Sequence, residues 1–166
     1  IGGSRAGDRR AFPITMPMTP RTRKRPYRVR SSAIHGRGVF AARTIRKGAL
    51  IIEYRGQRTT WEIVSERPDS DPANPGHTFI FELSDGRVID GGRRGNAARW
   101  INHSCAPNCE SDETDGGLVY ILALRNIAKG EELAYDYRLK IDGKLTRKEF
   151  DAFAWRCGGP ECRGTM

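Results

Sequence analysis

From Tyr27 onward the apolar residues of this chain come in short runs broken by glycine and proline, and no long stretch keeps a helical period. Residues 27–30, 39–42, 50–54, 78–83, 88–90, 118–124 and 133–137 are rich in β-branched, aliphatic and aromatic side chains and read as strands. Two segments open like helices, each with a capping box: Thr59-Thr60-Trp61-Glu62 and Thr146-Arg147-Lys148-Glu149. The second places Phe150 and Phe153 on one face, and residues 68–75 between the two boxes form a proline-marked loop. Without long helices spaced regularly between the strands, a mainly β domain is expected rather than a parallel βαβ sheet. The phrase Arg43-x-Ile45-x-Lys47-Gly48 returns as Arg125-x-Ile127-x-Lys129-Gly130, too short for a repeat and explicable as two similar turns.

With 166 residues the chain has room for one compact domain. Its hydrophobic fraction of 37% is lean but sufficient for a core. No apolar run approaches the roughly 20 residues of a membrane span, and no secretory leader opens the chain, so no membrane partner is expected. Four cysteines are too few for a disulfide scaffold, which points to reduced thiols or a metal site and to the cytoplasm or nucleus. The net charge of +9 is unevenly placed: residues 1–30 hold nine Arg and Lys against Asp8 alone, and the remainder is nearly neutral. Residues 1–26, with the cluster Arg21-Thr22-Arg23-Lys24-Arg25, therefore read as a disordered basic arm. Such an arm serves nucleic acid, an anionic surface or a nuclear address, or is a solvated tail with no dedicated partner.

The segment Arg99-Trp100-Ile101-Asn102-His103-Ser104-Cys105-Ala106-Pro107-Asn108-Cys109 concentrates compact polar groups behind an aliphatic lead-in. Alone, His103 reads as a satisfied histidine in a turn, and Gly36 with Gly38 as a tight turn between Ile34 and Val39. Their company changes that reading. His35-Gly36-Arg37-Gly38-Val39-Phe40, Glu53-Tyr54-Arg55-Gly56, Asn102-His103-Ser104-Cys105 and Gly130-Glu131-Glu132-Leu133-Ala134-Tyr135-Asp136-Tyr137 follow in order, and Cys157-x4-Cys162-Arg163-Gly164 closes the chain. In these motifs the chain resembles the SET-domain family of protein lysine methyltransferases, from about Tyr27 to the last residue.

The resemblance implies a mainly β SET fold of several small curved antiparallel sheets, the β-clip, with short helices. It also implies a C-terminal pseudoknot that brings residues 102–105 beside Tyr137. Domain boundaries follow: the arm at 1–26, a SET domain at 27–140, and a C-terminal helix with a post-SET element at 141–166. The implied cofactor is S-adenosylmethionine, held by Gly36, Arg37, Gly38, Asn102 and His103. His77 would add a contact or be an ordinary loop histidine. Trp155 would lie over the adenine, cap the channel, or pack on the Phe150/Phe153 helix. Tyr137 matches the catalytic tyrosine, orienting a lysine amine. Tyr135 falls where the family sets the number of methyls added, and a phenol there implies mono- or at most dimethylation. Tyr54 and Phe79 would line the lysine channel, Phe79 with a plain core role as the alternative.

A complete post-SET element binds one zinc through four thiolates. Cys105, Cys157 and Cys162 match three of them, and Trp155 stands where the fourth is expected. Cys109 or water would complete the shell, or no zinc is bound. The implied substrate is a lysine in a basic protein segment such as a histone tail, and the acidic residues 110–115 either receive such a peptide or form a solvated hairpin turn. The alternative from a different class is a catalytically silent SET module that binds lysine peptides, or nucleic acid through the arm.

Overall fold

The computed structural model describes residues 24–67, 79–138 and 162. The described elements, in order, are β1 (Tyr27–Ser31), β2 (Arg37–Ala41), β3 (Leu50–Tyr54), β4 (Gln57–Thr59), α1 (Trp61–Ser65), β5 (Ile80–Glu82), β6 (Val88–Asp90), a 3-10 turn (Ala97–Trp100), β7 (Asn102–His103), β8 (Cys109–Glu113), β9 (Val119–Ala123) and β10 (Glu132–Tyr135). The expected runs all carry strands except for their frayed ends. The basic arm, the second capping box and the proline-marked loop lie outside the described residues, apart from the last three residues of the arm.

One sheet runs in the order β1-β2-β10-β8-β9-β3, with β7 pairing β10 from outside that path, and a smaller one runs β4-β6-β5. The architecture is the mainly β arrangement of small curved sheets that the sequence led us to expect. Strand β10 is the keystone. It comes late in the chain yet sits inside the sheet, antiparallel to β2 and parallel to both β7 and β8. Ala134 is thereby opposite Asn102, and Tyr135 is opposite both His103 and Cys109. Asn108 locks the insertion: its Nδ2 donates to the Glu132 carbonyl (2.7 Å) and its Oδ1 accepts from the Ala134 N–H (2.9 Å).

The core follows from the strand pattern. β9, Val-Tyr-Ile-Leu-Ala, alternates buried and half-buried residues, as a strand with one covered face must. Val39, Val119, Ile121, Ile127 and Leu133 are fully enclosed. The echoed phrases meet each other: Ile45 and Ile127 exchange both backbone hydrogen bonds, at 2.9 and 2.8 Å. Gly48 and Gly130 then turn the chain at φ +75° and +90°, a region that glycine enters without a Cβ penalty.

Three strands escape the sequence reading, β4, β7 and β8. All are short or polar; β4 and β7 take their pairing from distant strands, and β8 forms a hairpin with β9. The acidic stretch is mostly strand: β8 runs through Glu113, and the turn follows over 114–117. Glu113 accepts from the N–H and hydroxyl of Ser84, both at 2.9 Å. The first capping box is displaced by one residue. Thr60, not Thr59, is the N-cap, without a side-chain cap bond, and the helix lasts five residues. A helix this short is marginal alone and here buries none of its residues. Its anchor is Arg67, whose guanidinium meets the buried Asp90 carboxylate at 2.8 Å.

Candidate active site

The turn between β1 and β2 is tied from inside by one carboxylate and one amide. The Ser32 N–H donates to the Gly36 carbonyl (3.0 Å), and the Ile34 N–H donates to the Ser32 hydroxyl (2.9 Å). Gly36 takes φ +41°, and a side chain there would meet nothing within 4 Å, so it is needed for its backbone and leaves open space outside. Gly38 is needed for a different reason: a Cβ would collide with the Glu132 carboxylate. Asn102, 2% exposed, points its Nδ2 at the Arg37 carbonyl (3.0 Å), Glu132 Oε1 (2.8 Å), Ser32 Oγ (3.2 Å) and the His35 carbonyl (3.4 Å). All four can accept, which fixes which end of the amide faces the turn.

Beside it, His103 is fully enclosed. Its Nδ1 accepts the Tyr137 N–H (3.2 Å), and its Nε2 faces Cys105 Sγ at 3.4 Å. The lone pair offered to Tyr137 makes this the neutral Nε2–H tautomer. Asp136 Oδ1 lies 3.6 Å from the same Nδ1, so in this state the contact is not an ion pair.

Tyr137 turns its hydroxyl inward and donates to the Ile101 carbonyl at 2.7 Å. Its ring stands 4.8 Å from that of Tyr135 and 5.4 Å from the His103 imidazole. Tyr54 donates its hydroxyl to the Phe79 carbonyl (2.8 Å) and packs 5.4 Å from the Phe81 ring. Burial pushes all three phenols above their ordinary range, and Tyr54 and Tyr137 are raised further by neighbouring phenols, Tyr54 also by Asp90. They are therefore neutral donors at ordinary pH, not bases.

A second aromatic group frames this one. Phe79 meets Trp100 edge-on at 5.0 Å. Trp100 carries the Arg37 guanidinium at 5.0 Å and that of Arg99 at 4.8 Å. Arg99 donates to the Gly91 carbonyl (3.1 Å), and its buried Nε has no hydrogen-bond partner among the described residues. Arg99, Trp100, Ser32, Glu132 and the Ile101 carbonyl are site residues that the sequence reading did not single out. Arg99, Trp100, Ile101 and Glu132 stand inside quoted motifs, but only the fold shows what they touch.

Among the described residues no group of three or more His, Cys, Asp or Glu side chains is arranged to hold a metal. Cys105 and Cys162 are half-buried, and Cys157, like His77 and Trp155, lies outside the described residues. Cys109 does not suit the role of fourth ligand. It is 1% exposed within β8, its Sγ faces Asn108 Oδ1 (3.3 Å), and burial pushes its thiol up to about 12, whereas zinc binds the thiolate.

The family model for the SET domain matches residues 36–138, the span that runs from the last residue of the tied turn through the inserted strand. The chain belongs to the SET-domain family. It is similar to the histone-lysine N-methyltransferase trithorax of Drosophila virilis, 36% identical over 157 residues that make up 90% of this chain and 4% of that protein. It is similar also to histone-lysine N-methyltransferase 2B of Homo sapiens, 37% identical over 164 residues, 93% of this chain and 6% of that protein. The H3 lysine-4 specific histone-lysine N-methyltransferase of Chaetomium globosum is 36% identical over 148 residues, 87% of this chain and 13% of its own length. This SET domain thus spans only a small part of the curated relatives it matches. No helix among the described residues is long and apolar enough to cross a membrane.

Proposed function

We propose that this SET domain transfers a methyl group from S-adenosylmethionine to the ε-amine of a lysine in a basic protein segment of the histone-tail class. The observation that carries the reading is the convergence of Tyr54, Tyr135 and Tyr137 beside the Asn102–Glu132 network. The names of the relatives support the substrate class.

The residues present fit such a cofactor. Gly36 leaves open space, and Arg37 makes no ion pair among the described residues, so its guanidinium is available to a carboxylate. The carbonyls of Ile101 and Phe79 and the phenols of Tyr54 and Tyr137 supply oxygens that suit a positive sulfonium and its polarised methyl. Gly36, Arg37, Gly38, Asn102 and His103 would hold it, with His77 and Trp155 adding contacts. Bound there, it supplies an electrophilic carbon for in-line displacement.

The chain's own residues do the rest. With its proton given to Ile101, the Tyr137 oxygen keeps lone pairs for an amine N–H and so fixes the amine's direction. A free lysine is neutral about once in 2,500 molecules at pH 7, given a pKa near 10.4. An aromatic, water-poor channel raises that fraction by penalising the ammonium form. Raised phenols cannot take the proton, so water carries it away before transfer. Most of the rate comes from alignment. Tyr135 crowds the amine and limits the product to mono- or dimethyl-lysine.

Cys105, Cys157 and Cys162 offer three thiolates, one short of a closed tetrahedral zinc site, and no step depends on a metal. Residues 1–26 would serve as a basic arm for nucleic acid, continued by the exposed Arg28 and Arg30 of β1. Residues 27–140 would be the catalytic domain and 141–166 the post-SET closure, in a nuclear protein.

Incubation with labelled cofactor and a panel of lysine peptides tests the reading. Label passes to a basic peptide with the unaltered chain, and Tyr137→Phe abolishes transfer while cofactor still binds. If no label reaches any peptide or the protein itself, the chain is a binding module.

A further inference from the structure

We infer that Glu132 is a positioning residue: its carboxylate sets the conformation of the cofactor turn by holding Ser32 and Asn102 together. The inference rests on the proposed cofactor site. Glu132 belongs to β10, the turn to the β1–β2 connection, and Asn102 to β7, so one carboxylate joins three elements that are far apart in the chain. Ser32 Oγ lies 2.8 Å from Oε1 and 3.0 Å from Oε2, and Asn102 Nδ2 lies 2.8 Å from Oε1. Among the described residues no cation pairs with this carboxylate, so neutral donors alone satisfy it.

The consequences pass to the backbone. Ser32, fixed by Glu132, receives the N–H groups of Ile34 (2.9 Å) and His35 (3.4 Å). Asn102, fixed by Glu132, donates to the Arg37 carbonyl (3.0 Å). Both ends of the Ile34–Arg37 arc are therefore held by hydroxyl and amide groups that the carboxylate orients. The missing side chain at Gly38 provides the space in which the carboxylate sits. Glu132 itself need not touch the cofactor. It determines where the backbone groups that would touch it are held.

The test uses the full chain without and with S-adenosylmethionine. In the cofactor-free protein, Glu132→Ala speeds hydrogen exchange at the N–H groups of Ser32 and Ile34 by about tenfold or more, as expected when two charge-assisted hydrogen bonds are lost. Exchange within β3 and β9 stays unchanged, which separates a loosened turn from a loosened domain. Calorimetric cofactor affinity falls by a similar factor. Glu132→Gln keeps one acceptor oxygen at the same reach and stays within about threefold of the unaltered chain. Glu132→Asp keeps the charge but draws the carboxylate back by one methylene from Ser32 and Asn102, and shows the same local loosening, so the test survives if Glu132→Ala fails to fold. Unchanged exchange at Ile34 and unchanged affinity in either variant overturn the inference. An unaltered chain that binds no cofactor overturns the functional reading beneath it.

Discussion

The main-chain N–H of Tyr137 points at Nδ1 of His103 across 3.2 Å, although 34 positions separate the two residues. One enclosed imidazole thus orients the backbone that carries the proposed catalytic phenol, whose hydroxyl reaches back to Ile101, two residues before that histidine.

Replacing that imidazole should be costly. His103→Ala leaves a cavity where no side-chain atom meets water and strips the Tyr137 N–H of its acceptor. The expected loss is about 3 kcal/mol of unfolding free energy. Urea denaturation followed by tryptophan fluorescence would register it, and an unchanged midpoint would mean that the site does not depend on this contact.

Tyr135→Phe removes one hydroxyl from a buried ring beside Tyr137 and leaves the aromatic packing in place. The product distribution on a lysine peptide should move toward higher methylation. Mass spectrometry of the peptide over a time course reads this directly, and the prediction fails if the variant stops at the same methyl count as the unaltered chain.

Stability should fall in alkali. The Cys109 thiol is raised to about 12 in the folded state by burial, above the ordinary thiol value near 9, so the folded chain keeps a proton that the unfolded chain releases. Its contribution is fully present below pH 9 and is lost as pH rises toward 12, at about 1.4 kcal/mol per pH unit. Tyr54, Tyr135 and Tyr137 act in the same direction from higher pH. Urea midpoints between pH 8 and 11 in reductant should slope less steeply for Cys109→Ala. Iodoacetamide at pH 8.5 should leave native Cys109 unlabelled in peptide maps.

Arg67→Met leaves the Asp90 carboxylate, 3% exposed, without its close cation. Arg93 is no substitute at 3.9 Å. The expected destabilisation is about 3 kcal/mol, largely recovered when Asp90→Asn is added. A double-mutant cycle in urea measures the coupling, and additive effects would show that the helix α1 does not rely on this pair.

Much of this protein was legible before folding. Alternating and continuous apolar runs located most strands, because burial against one or two neighbours leaves a period in the residues themselves. Ordered short motifs identified the family and marked Gly36, Gly38, Asn102, His103, Tyr135 and Tyr137 as candidate site residues. What no local pattern carries is partnership. Strand β7 is two polar residues long and exists because β10 lies beside it, while the polar β8 is held over its length by β9 and meets β10 only at Cys109. Ser32 and Glu132 meet across 100 positions, and the Ile45–Ile127 bridge joins two phrases that the sequence presents only as an echo. Such contacts are decided by the closure of distant segments around one core, where the chain entropy of each long loop is offset by burial elsewhere. The residue types were set by the sequence, and the tertiary structure determined which of them face one another.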